Sequence, residues 1–331
     1  MKTKAHIVLP RRTHLSWLLA LALGLPTALP ASAIAAAGPP QSTTISADAS
    51  AQTLNQSWQI ANDATVEVHN VRGSVVVSAG EAGQATLTGE LGAGSKLVID
   101  GSAQHLELRV DSDKDNGWFG NKGPRSESNL TLKVPAGVSL RLQLVSADGK
   151  VSGIDGKSVG VGCVSGNVTI DSGSPQVDVD CVSGDVGLHA TRADPGFRTH
   201  LQTVSGDIQV TGASGNLKLE TVSGRARAEG KQIQEFEAGS VSGDVELVAA
   251  LGKHGRIQAQ TMSGEVRTEL AGDVSARIEA ETFSGRITSD FGTVKKPEYG
   301  PGSSLDARVG DGDAQISVKS FSGNVDIRKK P

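Results

Sequence analysis

The sequence predicts an all-β protein: a single-stranded β-solenoid built from roughly 20-residue repeats that turn at Ser-Gly corners. Three observations predict it. An apolar-Ser-Gly tripeptide recurs at near-constant spacing, each copy follows a run of alternating apolar and polar residues, and the composition suits a thin interior. Of 331 residues, 41 are Gly and only 3% are aromatic, so the 37% hydrophobic share comes mostly from Val, Ile, Leu and Ala. Small branched side chains can line a narrow core, but they cannot fill a wide one.

Residues 1–33 read as a secretory signal peptide. Lys2, Lys4, Arg11 and Arg12 precede an apolar run from Leu15 to about Leu25. Two small-residue cleavage patterns follow, Ala31-Ser32-Ala33 and Ala35-Ala36-Ala37, so cleavage falls after residue 33 or as late as 37. Pro26 interrupts the run, which is too short for a stable membrane span, and no later segment reaches spanning length. Arg11-Arg12 leaves the general and the twin-arginine export routes both open. Losing the leader removes four cations and no acid, which moves the net charge from −4 to −8. An acidic exported chain is a poor partner for nucleic acid.

Residues 34–50 read as a flexible lead-in. Residues 51–139 alternate in short runs, such as Leu97, Ile99 and Leu106, Leu108, Val110, and read as a β-rich N-terminal part that caps the solenoid. Within it, Val66, Val68, Asn70, Val71, Arg72, Gly73 forms an isolated early copy of the repeat.

The repeats proper occupy residues 140–331. The corner glycines are Gly73 in the early copy and Gly166, Gly184, Gly206, Gly224, Gly243, Gly264, Gly285 and Gly323 here. From Gly166 the steps are 18, 22, 18, 19, 21, 21 and 38 residues, so an insertion or a degenerate copy lies before the last corner. Lys295 to Ser304 reads as an inserted loop, near 292–304. Residues seven, five and three before the Gly are inward types, as in Val177, Val179, Cys181 and Ile257, Ala259, Thr261, with polar residues between. That is the period of a strand with one buried face. The residue two before the Gly is again apolar; this slip in phase marks a corner, which Ser-Gly has the freedom to turn. The same register puts Ala147 at a corner position and assigns Val151-Ser152-Gly153 to the second side of its coil.

Units of this length cannot bury their apolar faces alone, and stacking buries them together. Stacking in turn predicts columns of like residues. Three before the Gly, Cys163, Cys181, Thr203, Thr221, Ser240, Thr261, Thr282 and Ser320 form a column of small side chains. Just after the Gly, Asn167, Asp185, Asp207, Arg225, Asp244, Glu265, Arg286 and Asn324 suggest solvated charge pairs between rungs. Arg328, Lys329, Lys330 and Pro331 suit a charged covering for the open end of a last rung. Cys163 and Cys181, one repeat apart, fall within disulfide range if the rungs stack, or they remain two buried thiols.

Sites for chemistry are few. Asp111, Asp113, Asp115, Asn116 and Gly117 make a weak candidate calcium loop, with the Gly one place late and Lys122 where a bidentate Glu belongs. A solvated hairpin loop explains the same residues. The histidines are scattered, and no nucleophile elbow or phosphate loop is present. The expectation is no catalytic residue, no cofactor and no metal. Asp178, Asp180 and Asp185 are the acids a carbohydrate-active enzyme on this scaffold would use.

The runs Thr-Val-Ser-Gly-Asp-Ile at 203–208 and Ser-Val-Ser-Gly-Asp-Val at 240–245, the closing stretch 312–327, and Leu-Thr-Leu-Lys-Val-Pro at 130–135 resemble the bacterial "putative adhesin" β-strand-repeat family, a domain of unknown function. The resemblance covers roughly 60–330. It implies a periplasmic, cell-surface or secreted protein of the cell envelope with no catalytic role, some members being linked to envelope stress. The family offers no agreed catalytic residues to carry over. The expected function is an adhesin-like protein that binds an envelope protein or glycan. The alternative is a carbohydrate-active enzyme.

Overall fold

The structure is a computed structural model that describes residues 38–39, 41–112, 126–298 and 301–330. These residues form strands and turns with no helix. The strands before the repeats are β1 (Thr43–Ala47), β2 (Gln52–Gln59), β3 (Thr65–Ala79), β4 (Gln84–Leu91), β5 (Ser95–Ser102), β6 (His105–Ser112) and β7 (Ser128–Val134). The next group is β8 (Ser139–Ile154), β9 (Val159–Ser165), β10 (Val168–Ser172), β11 (Gln176–Ser183), β12 (Val186–Ala190), β13 (Arg198–Ser205), β14 (Ile208–Ser223), β15 (Ala226–Ser242), β16 (Val245–Ser263) and β17 (Val266–Leu270). The last five are β18 (Ala276–Ser284), β19 (Ile287–Ser289), β20 (Ser303–Val309), β21 (Ala314–Ser322) and β22 (Val325–Lys329).

Each repeat contributes one strand before its Ser-Gly corner and one after it. The strands before the corner pair in parallel with their counterparts in the next repeat, residue for residue: Cys163 with Cys181, Cys181 with Thr203, Thr203 with Thr221. The strands after the corner do the same, as in Val168, Val186, Ile208 and Ala226. Two parallel faces result, with the inward side chains of both forming one continuous core from Ala47 to Ile327. Strands β8 and β14 run on through a corner and belong to both faces. The pairings β8–β9–β11–β13–β14–β12–β10 and back to β8 therefore close a ring of seven parallel strands.

The corner glycines follow from this stacking. A Cβ added at Gly206 would run into the carbonyl oxygen of Gly184, and one at Gly184 into that of Gly166. Gly206 also has a φ of 147° and Gly184 one of 133°, where side chains are disfavoured. The register confirms Ala147 opposite Gly73 and places Val151 beside Ile170 on the second face.

Both ends depart from chain order. β21 and β22 do not form the terminal rung: β21 lies between β16 and β18, and β22 between β17 and β19. Thr261 therefore pairs with Ser320, and Ser320 with Thr282, so Thr261 and Thr282 are not neighbours as the sequence order suggests. Arg328 and Lys329 accordingly do not cover an open end. Arg328 bonds to Asp326 at 2.6 Å and Asp290 at 3.3 Å inside the stack. The long step before Gly323 holds β20, which folds back antiparallel onto β18 and covers that edge. At the other end β3 is interior, with β6 and β7 on one side and β8 on the other. β6 and β7 thus make one rung more than the Ser-Gly motif marks. Antiparallel β5 covers β6, and β4 covers β7. Residues 43–47, expected in a flexible lead-in, are strand β1 on β5, and β2 pairs with β4. Antiparallel coverings at both ends protect edges that would otherwise accept further strands.

Candidate functional site: an exposed apolar ridge

The residue two before each Gly is apolar, yet it points outward. In spatial order the column reads Val145, Val164, Val182, Val204, Val222, Val241, Met262, Phe321 and Phe283. Val164 is 51% exposed, Met262 62%, Phe321 58% and Phe283 54%. Among the described residues, these nine are the large apolar side chains left exposed. At about 4.8 Å per rung they form a ridge about 40 Å long. Half-buried Val71 extends it by one rung.

The ridge has two unlike ends. Toward Val145 it is all valine. Toward β18 it ends in Met262 and two stacked rings, Phe321 and Phe283, with centroids 5.0 Å apart and planes 8° apart. The rings stack on each other along the column, so each covers one face of the other. Beside this bulky end runs a groove of ≈ 710 Å³, lined on its outer side by Gln202, Glu220, Gln260, Lys319 and Glu281. Gly239 leaves a gap in that lining, since a Cβ there would meet nothing within 4 Å.

Beneath the ridge lies the column of small polar residues. Four of its hydroxyls reach to the corner carbonyl of the neighbouring rung: Thr203 to Gly184 at 3.4 Å, Thr261 to Gly243 at 3.3 Å, Ser320 to Gly264 at 3.4 Å and Thr282 to Gly323 at 2.9 Å. Thr221 and Ser240, which also line the groove, are buried and have no partner for their hydroxyls. On the groove rim Glu220 accepts from Lys218 at 3.1 Å and lies 3.3 Å from His200 Nε2. Burial alone would raise its pKa, but the Lys218 and His200 contacts outweigh that and hold it below its ordinary value.

The column after the Gly is not a set of charge pairs. The Asp148 carboxylate accepts the Asn167 amide at 2.8 Å, and the Asn167 side chain accepts that of Asp185 at 3.0 Å. Asp185 takes the amide of Asp207 at 2.9 Å, and Asp207 that of Arg225 at 2.8 Å. Asx residues recur there because a short side-chain oxygen reaches the next rung's N–H.

Asp113 and Asp115 lie outside the described residues, and Asp111 is exposed, 3.5 Å from Arg109. Among the described residues no group of three acidic, His or Cys side chains could hold a metal ion. Asp178 and Asp180 project outward on β11, and Asp178 accepts from Gln176 at 2.8 Å. Asp185 is on the other side of the corner, in the Asx ladder, so the three do not converge. Cys163 and Cys181 are direct register partners, and both are buried. The ridge was legible in part. The signal is an apolar residue at an outward phase in every copy, which in the sequence marks only a corner.

Comparison with solved structures gives weak likenesses. A "putative lipid binding protein" from Parabacteroides distasonis is 13% identical, with TM-score 0.37, over 87% of this chain and 99% of that one. A "putative adhesin" from Parabacteroides merdae is 11% identical, with TM-score 0.32, over 86% and 98%. A "putative cell adhesion protein" from Clostridium sporogenes is 10% identical, with TM-score 0.22, over 84% and 100%. No curated protein matches the sequence. The Toastrack DUF4097 family matches residues 63–328, and the chain belongs to that family, a domain of unknown function.

Proposed function

We propose that this chain is an exported, non-catalytic envelope protein whose stacked coils form a β-solenoid that binds a second envelope component through the apolar ridge. The observation that carries this reading is the ridge itself. Exposed apolar side chains cost solvation in every rung, and soluble monomers rarely keep so long an apolar patch without a partner. Fully covering a Val or Phe is worth about 1.5–3 kcal/mol. A polar residue at that position would leave the core untouched, because the side chain does not enter it.

The geometry favours a protein face over a sugar as the partner. Sugar rings stack on open aromatic faces, and Phe283 and Phe321 each cover one face of the other. A long ridge of valines, Met262 and two rings beside a groove suits an apolar protein surface with a polar rim. The groove's mixed rim of Glu220, Glu281 and Lys319 would set orientation more than affinity. Export is supported by the leader-like residues 1–33 alone.

The test is retention on isolated envelope, separated into glycan sacculus and membrane-protein fractions. The mature chain is expected to bind the protein fraction. A Met262→Asp, Phe321→Asp double variant, with unchanged circular dichroism, is expected to lose at least tenfold in retention. Equal retention of the folded variant overturns the ridge as the binding surface. The N-terminus of the exported protein should begin between residues 34 and 38.

A further inference from the structure

The cysteine column holds chemistry that the ridge does not use. Cys163 on β9 and Cys181 on β11 face each other in register across adjacent parallel strands. Strand neighbours are about 4.8 Å apart, within the Cα range that a disulfide spans. Each residue is 4% exposed. The neighbouring thiol lowers the Cys163 pKa and raises that of Cys181.

The site also lies where a covalent tie has the most to add. Strand β9 reads Val-Gly-Val-Gly-Cys-Val-Ser, and two glycines inside a strand weaken it through backbone entropy. In the later rungs Thr203, Thr261, Ser320 and Thr282 each hydrogen-bond to a neighbouring rung's corner carbonyl. Cys163 instead makes a 3.4 Å contact to the carbonyl of its own Gly166, so no such bond ties it to the next rung.

We propose that Cys163 and Cys181 form a disulfide that staples two consecutive rungs and locks the glycine-rich strand β9 to β11. The oxidant is a disulfide of the thiol–disulfide oxidoreductase or glutathione class. The thiolate of one cysteine attacks one oxidant sulfur, breaks the oxidant's S–S bond and releases one thiolate. The thiolate of the other cysteine then attacks the first cysteine's sulfur in the mixed disulfide and releases the second. Two electrons pass to the oxidant, whose two sulfurs leave as thiols carrying the two protons lost by the cysteines. Because both thiols are buried once the rungs close, exchange takes place while β9 and β11 are still coming together.

The experiment refolds the reduced full chain in mixtures of glutathione and glutathione disulfide, quenches in acid, alkylates in denaturant and measures intact mass. The expected product takes no alkyl group and is lighter than the reduced chain by two hydrogens. Cys181→Ser should leave a glutathione adduct or an alkylated Cys163. Correct fold, by circular dichroism, with two alkylated cysteines at every glutathione ratio overturns the proposal. If refolding fails, protein secreted through an oxidising compartment and alkylated directly in denaturant decides the matter. No label supports the bond, and two labels overturn it. Envelope binding by the ridge is read separately, so loss of one leaves the other standing.

Discussion

The middle of the stack and its two ends are built from the same repeat but obey different rules. From β8 to β17, chain order and spatial order agree, and each rung rests on the one made just before it. At the ends they disagree: β3 is interior to β6 and β7, and β21–β22 is interior to β18–β19. The difference teaches that a repeat specifies how a rung packs, not which rung it packs against. Every copy offers the same inward column, the same corner and the same register, so any two can be neighbours. What distinguishes the ends is that β4, β5 and β20 are antiparallel strands able to cover an edge.

The largest effect should come from removing the rung that sits out of order. A chain ended at Val309 loses β21 and β22, and with them the contacts that join β16–β17 to β18–β19. If the last rung were terminal, such a truncation would merely shorten the stack. Here it is expected to abolish cooperative unfolding at the C-terminal end, seen in urea titration and hydrogen exchange. In the intact chain the Val325 amide, which bonds to the Arg286 carbonyl at 2.9 Å, should be as protected as that of Val245 in the middle. Equal fast exchange of Val325 and the chain terminus would contradict the order.

Next in size are the mid-stack corners. Gly206→Ala places a Cβ against the Gly184 carbonyl and should cost about 3 kcal/mol in chemical denaturation. The natural Ala147 marks the N-terminal end as more tolerant, so Ala147→Gly should change stability by less than about 1 kcal/mol. A smaller contrast lies within one column. Thr282→Val, which breaks a 2.9 Å bond to Gly323, should cost about 1 kcal/mol, whereas Thr221→Val, whose hydroxyl has no partner, should be neutral or stabilising. In the Asx ladder, Asp207→Ala should cost about 1 kcal/mol and Asp207→Asn, which keeps the acceptor, almost nothing.

The smallest effect is electrostatic. The folded-state pKa of Glu220 is depressed, so its contribution is present above the unfolded-state pKa and is lost as pH falls through the folded value. Because the side chain is partly open to solvent, the loss should be a few tenths of a kcal/mol, visible as a flatter acid limb for Glu220→Gln. An identical acid limb in the variant would show that the Lys218–Glu220–His200 contacts do not stabilise the fold.

Much of this was legible in the sequence because it depends on local chemistry. Val177, Val179 and Cys181 alternate with Asp178 and Asp180, and that period alone assigns a strand and its buried face. Gly206 and its equivalents are demanded by one geometric event repeated in every rung. The outward ridge was half legible. Val204 breaks the alternation in sequence, but whether such a residue turns into a corner or out to solvent depends on how the Ser-Gly backbone places it. The role of Asp207 as an amide acceptor was hidden, since it requires the neighbouring rung's N–H to be at hand.

The sequence by itself determined the strand period, the glycine corners, the in-register columns and the pairing of Cys163 with Cys181, because each follows from spacing within and between adjacent copies. Only the tertiary structure decided that β21–β22 slots between two earlier rungs, that β6 and β7 form a rung without the motif, and that nine apolar side chains line up on the outside. Identical repeats are interchangeable partners. Their order is settled by which strands must close the edges of the sheet, and edges exist only once the chain has folded.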